Sequence, residues 1–125
     1  MSYRPGPVTI FKRERESLIF HLQAQAIALR TDHRCAEDVA ANLRDLVDNV
    51  YRVRSASLVM NAQARGNAFV QAKPYDFYGY NVPRMCNDLV ACLLQWADIL
   101  VNTDGRRTDG IVASAIEGVI ASLGF

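Results

Sequence analysis

The sequence predicts an all-α fold, a compact bundle of four to five mostly antiparallel helices. Three observations predict it. Val39, Leu43, Leu46, Val50 and Val53 recur at spacings of four, three, four and three, and Met85, Leu89, Cys92, Trp96 and Ile99 repeat the same pattern. That alternation keeps apolar side chains on one face of a helix packed nearly parallel or antiparallel to its neighbours. Between the periodic stretches stand short turn signals, and strand patterning is confined to two short candidates, Pro7 to Phe11 and Tyr78 to Val82.

Residues 1–9 contain Pro5, Gly6 and Pro7 and read as a short extended arm on a single helical domain covering 1–125. A first helix is expected from about Phe11 to Arg30. Leu18, Leu22, Ala26 and Leu29 form its apolar stripe, widened by Ile19, Phe20 and Ile27. Thr31 and Asp32 offer side-chain oxygens to cap the second helix. That helix carries the Val39–Val53 repeat. Ser55 and Ser57 end it, or it runs through them to about Arg65, and Gly66-Asn67 weakens helix beyond. Lys73 to Arg84, with Pro74, Gly79 and Pro83, reads as the one long loop, leading to a helix over about Arg84 to Val101. Asn102-Thr103-Asp104-Gly105 is a turn. Thr108 or Asp109 is expected to cap a last helix from about Gly110 to Leu123, closed by Gly124. Gly110, Ser114, Gly118 and Ser122 recur every four residues on this helix, which is read as central to the core with a small-residue ridge for close helix approach.

Bulk properties exclude several classes. With 125 residues, half of them hydrophobic, the chain can bury a core without disulfides or metal. The formal charge is +1, so the global basic excess of a phosphate-contacting protein is missing. Three cysteines without paired spacing (Cys35, Cys86, Cys92) argue for a reducing compartment, and neither a signal-peptide core nor a spanning segment is recognisable. A cytoplasmic, non-membrane protein is the expectation.

Catalytic and metal constellations are not found. His21 and His33 are the only histidines, and Cys86 and Cys92 are spaced six apart, off the spacing that places two thiolates on one helical face. There is no Gly-x-Ser-x-Gly elbow or Gly-rich phosphate loop. Asp45/Asp48 read as an exposed pair in which Asp48 can meet Arg52, and Asp104/Asp109 flank a turn. No catalytic residue, cofactor or metal site is therefore expected, and the chain reads as non-enzymatic.

Two features point instead to binding. Tyr75, Phe77, Tyr78 and Tyr80 put four aromatic rings into six residues of the long loop. Tyrosine brings a large contact area and a polar tip on few torsions, which suits binding hot spots. Arg52, Arg54 and Arg65, with Arg44, make the middle of the chain locally basic. The expectation is a protein–protein interaction module, a small inhibitor or adaptor that blocks a larger protein or protein complex sterically through Tyr75, Phe77, Tyr78, Tyr80, Arg52, Arg54 and Arg65. The alternative is a nucleic-acid-binding regulator using the Arg patch. A homodimer is compatible with either. In style, a short, motif-poor, Arg-rich helical chain resembles phage- or plasmid-encoded accessory proteins, including inhibitors of host defence systems such as CRISPR-Cas. That resemblance rests on no particular residue.

Overall fold

A computed structural model describes residues 6–31, 36–68, 82–102 and 106–123, with side chains for all of these except 63–68 and 106–107. The described residues form four helices: α1 (Pro7–Thr31), α2 (Ala36–Ala68), α3 (Val82–Asn102) and α4 (Arg106–Leu123). All four pack against one another as a bundle, and four is the count among the described residues.

The first helix begins earlier than its prolines suggest. The Ile10 amide donates to the Gly6 carbonyl at 3.0 Å, which is the opening i to i−4 bond. Pro7 then occupies the first helical position, where its missing amide is not needed and its fixed φ already suits a helix. Pro7, Val8 and Thr9 are therefore helical rather than part of an extended arm over 1–9, while residues 1–5 lie outside the described residues. At the other end, the Thr31 hydroxyl turns back on its own helix and donates to the carbonyls of Ile27 (2.9 Å) and Ala28 (3.3 Å). Thr31 thus closes α1 instead of capping α2, and Asp32 falls outside the described residues.

α2 is one continuous helix of 33 residues, about 50 Å long at the usual rise. It passes through Ser55, Ser57 and Gly66-Asn67 without a break. Ser57 does not end the helix because it sits inside the bundle, fully enclosed, where packing outweighs the weak helix preference of serine. α3 starts at Val82, so Val82, Pro83 and Arg84 are helical rather than loop, and Val82 and Pro83 are buried. α4 starts at Arg106, which places Thr108 and Asp109 inside its first turn rather than at its cap. Asp109 is buried, with one carboxylate oxygen lacking a hydrogen-bond partner among the described residues.

Side-chain contacts fix the direction of the helices. Gln25 accepts from Asn42 at 3.1 Å, and Ile10 and Glu14 meet Tyr51 to Val59, so α2 runs antiparallel to α1. Arg44 reaches Asp98 at 3.2 Å while Arg54 acts on Cys86, so α3 runs antiparallel to α2. Arg30 meets Ser114 and Glu117, and Ile27 meets Ile120, so α4 runs antiparallel to α1. The α2 repeat lies wholly in the core, whereas on α3 the buried stripe runs through Cys86, Leu89, Leu93, Trp96 and Leu100, and Met85, Cys92 and Ile99 of the expected repeat are only partly buried at its edge. Leu18, Leu22, Val39, Leu43, Leu46, Val50, Val53, Leu89, Leu93 and Trp96 are all buried.

α4 is less central than its composition suggests. Val112, Ala113, Ile116 and Leu123 face the core, but Ser114, Gly118 and Ser122 are exposed. The small-residue ridge lies at the surface because α4 packs mainly along one neighbour, α1, and needs only one apolar stripe. Arg30 lies on that ridge, its Nη2 donating to Ser114 Oγ at 3.0 Å and its Nε to Glu117 at 3.1 Å. The hydrogen bond from Arg30, reinforced by its charge, holds the Glu117 carboxyl below the usual glutamate range and raises the Arg30 guanidinium in turn.

Candidate functional site

Among the described residues, the basic side chains singled out in the sequence (Arg44, Arg52 and Arg54) are not gathered on one face. Arg44 is engaged with Asp98 on α3. Arg52 is exposed, and its Nη1 donates to Asn49 Oδ1 at 3.1 Å rather than to Asp48. Arg54, two residues on and hence turned about 200° around the helix, is half-buried towards α3. Its Nε is enclosed without a hydrogen-bond partner among the described residues, and its charge acts on Cys86. The side chain of Arg65 and the whole of Tyr75, Phe77, Tyr78 and Tyr80 lie outside the described residues.

Cys86 is buried, and burial pushes its thiol up to about 11 against the opposing charge of Arg54. A thiol so placed is a core side chain rather than a nucleophile. Cys92 is half-buried, and Cys35 is outside the described residues. His21 is exposed, its ring edge-on to Phe20 with centroids 5.6 Å apart, beside a small polar hollow shared with Asn42, Asp45 and Asn49. Among the described residues, no three His, Cys, Asp or Glu side chains come together in a way that could hold a metal ion. None of the four helices is long and apolar enough to cross a membrane, as judged on the described residues.

Exposed large apolar side chains occur on all four helices, Leu58, Leu94, Val101 and Ile111 among them, and in two places such side chains border a hollow. The first is an open groove of about 490 Å³ between the start of α1 and the middle of α2. Ile10 and Glu14 stand on the α1 wall, and Tyr51, Arg52, Ala56 and Val59 on the α2 wall. Ile10 is 41 % exposed, Tyr51 46 % and Val59 58 %. On α2, residues 51, 55 and 59 follow one another at four-residue steps, so they form a single strip along the helix. The strip faces away from the Val39–Val53 stripe that fills the core.

The second place is the outer face of α1. Phe20 is 67 % exposed and Ile27 62 %, and their seven-residue separation puts them two turns apart on one face. The sequence pattern assigns both to the core stripe, and the structure corrects this. Leu18, Leu22, Ala26 and Leu29 already fill the face towards α2, and Phe20 and Ile27 point well away from that direction. Beside Ile27 a shallow hollow of about 440 Å³ continues over Gln23, Glu117 and Ile120 towards α4.

Comparison of the chain with protein families, curated proteins and solved structures gave no match. The chemistry of the two surfaces therefore has to carry the reading. Glu14 and Arg52 are the charged groups on the groove walls, and Glu117 is the one beside Ile27. Open apolar strips with charged rims suit the burial of another macromolecular surface. Ile10, Phe20, Ile27, Tyr51 and Val59 were not among the sequence candidates. Their one signal is that each is a large apolar residue out of phase with the core stripe of its own helix.

Proposed function

We propose that this chain is a non-enzymatic protein–protein interaction module, a small inhibitor or adaptor that covers part of a larger protein or protein complex. A phage- or plasmid-borne inhibitor of a host defence system would be one such protein. The observation that carries the reading is the pair Phe20 and Ile27, two large apolar side chains about two-thirds exposed on the outward face of α1. Single exposed apolar residues are ordinary, but a pair on one face beside an apolar hollow is what a partner helix or loop can cover. Burying a phenylalanine and an isoleucine stabilises a complex by roughly 1.5–3 kcal/mol each before the cost of association. The aromatic segment with Tyr75, Phe77, Tyr78 and Tyr80, and the exposed Arg52, extend the candidate contact area on sequence grounds, and Arg54 and Arg65 belong to the same proposal.

Affinity capture with the wild-type chain, followed by reconstitution of the retained complex from purified components, tests this. Phe20→Ser with Ile27→Ser should weaken the reconstituted complex at least tenfold while the thermal transition stays within a few degrees. A complex formed equally well by the double variant sinks the assignment of this face. Retention that depends on nucleic acid, and is lost on nuclease treatment, supports a nucleic-acid regulator instead.

A further inference from the structure

The groove between α1 and α2 is separate from the Phe20–Ile27 face, and its charges are arranged in a way that fits one occupant. The Gln25–Asn42 hydrogen bond sets the register of the antiparallel pair. Eleven residues back along α1 is Glu14, and ten residues forward along α2 is Arg52, so the two stand at nearly the same level. They are on opposite walls of the groove and form no ion pair with each other among the described residues. Moving away from this charged end, Ile10 on the α1 wall is level with Ala56, and Pro7 with Val59. Each level of the groove thus has an α1 residue on one side and an α2 residue on the other.

We propose that this groove is the interface between two copies of the chain, related by a twofold axis that runs along the groove. A half-turn about such an axis exchanges the two walls and leaves the level along the groove unchanged. Glu14 of each copy then faces Arg52 of the other, giving two symmetric ion pairs at one end. Ile10 of each copy faces the Ala56 and Val59 wall of the other, so the exposed parts of Ile10, Tyr51 and Val59 are withdrawn from water together. One acidic and one basic group at one level on opposite walls is the self-complementary arrangement that an isologous contact requires. The strip from Tyr51 to Val59 is only about 12 Å long. An interface of that length falls below the standard size for a stable complex, so the dimer should be a reversible one with a dissociation constant on the order of micromolar.

Sedimentation equilibrium of the full chain from about 1 to 500 µM tests the proposal, with circular dichroism confirming that each variant is folded. The wild-type chain should shift from monomer to dimer across that range. E14R and R52E should each remain monomeric at concentrations at least tenfold above the wild-type midpoint. The double variant E14R/R52E should dimerise again. An equimolar mixture of the E14R and R52E chains should form a mixed dimer, because every contact then joins a positive charge on one copy to a negative charge on the other. V59E should prevent dimerisation in every background without moving the melting temperature by more than a few degrees. A wild-type chain that stays monomeric to 500 µM overturns the proposal, as does a dimer that persists in both single variants. Neither outcome bears on the Phe20–Ile27 face, which the substitutions at those two residues test on their own.

Discussion

Ser57 offers a direct test of how the α2·α3 seam is held together. It is fully enclosed, and its hydroxyl has no hydrogen-bond partner among the described residues. Three residues before it, Arg54 Nε is also buried and unpartnered, and four residues after it so is Asn61 Nδ2. The three positions lie on one stripe of α2, at the level where α3 begins. An enclosed hydroxyl without a partner costs about 1–3 kcal/mol. Ser57→Ala removes that cost and leaves a void on the order of 15 Å³, which at about 24 cal/mol per Å³ takes back roughly 0.4 kcal/mol. Alanine adds a few tenths through its better helix propensity, a contribution measured separately by Ser17→Ala on the exposed face of α1. The net expectation is a gain of about 1–2 kcal/mol beyond the Ser17→Ala control. It should be read as a higher urea midpoint at unchanged m-value and a melting temperature raised by roughly 3–10 °C. A loss of 1 kcal/mol or more in Ser57→Ala would refute the reasoning, because it would mean that the hydroxyl is satisfied in solution, for instance by a buried water.

Three further outcomes follow from the packing and the charges. Leu46→Ala should lower stability by roughly 2–5 kcal/mol in urea unfolding, since Leu46 belongs to the buried α2 stripe; a loss below about 0.5 kcal/mol would show that this stripe is not the core. In a Cys35→Ser/Cys92→Ser background, Cys86 should react with a thiol reagent far more slowly in the native protein than in urea, because burial holds the thiol near 11. With a folded value above the unfolded one of about 8.5, its contribution is complete below pH 8.5 and is lost as pH rises towards 11, so Cys86→Ala should flatten that alkaline slope. The Glu117 carboxyl runs the other way. Held below the unfolded value of about 4.3 by Arg30, it contributes above that pH and loses its contribution as pH falls through its lowered value. Glu117→Gln should therefore differ from wild type at pH 7 and converge with it in strong acid, by a small amount because both side chains are exposed.

The elements most legible in the sequence were those whose apolar residues serve a single partner face. The four-three repeat of α2 located the core because the helix buries one stripe between neighbours, and every member named from Val39 to Val53 is enclosed. On α3 only Leu89 and Trp96 of the expected five are enclosed, because the buried stripe also takes Cys86, Leu93 and Leu100. The helix starts were less legible. Pro7 and Pro83 read equally as loop punctuation and as first-turn residues, and only the Gly6–Ile10 bond and the burial of Val82 and Pro83 decide between the two. The groove could not be read at all from one helix at a time. Tyr51 and Val59 lie on α2 and Ile10 on α1, and their proximity depends on the register that the Gln25–Asn42 contact sets.

α1 carries more apolar surface than folding alone requires. One stripe, Leu18 to Leu29, satisfies the core, and a helix in a bundle needs no second one. Ile10, Phe20 and Ile27 fall outside that stripe and stand in water at 41 to 67 % exposure. If they served only the fold, polar replacements would leave stability unchanged within about 0.5 kcal/mol and have no other consequence. Under the interaction reading the same replacements are neutral for stability but costly for association, and the cost divides by face. Changes around Ile10 and Val59 act on self-association, and changes at Phe20 and Ile27 act on partner capture. The residues that hold this chain together and the residues proposed to bind are thus different sets, so stability and association measured on the same variants separate the two roles.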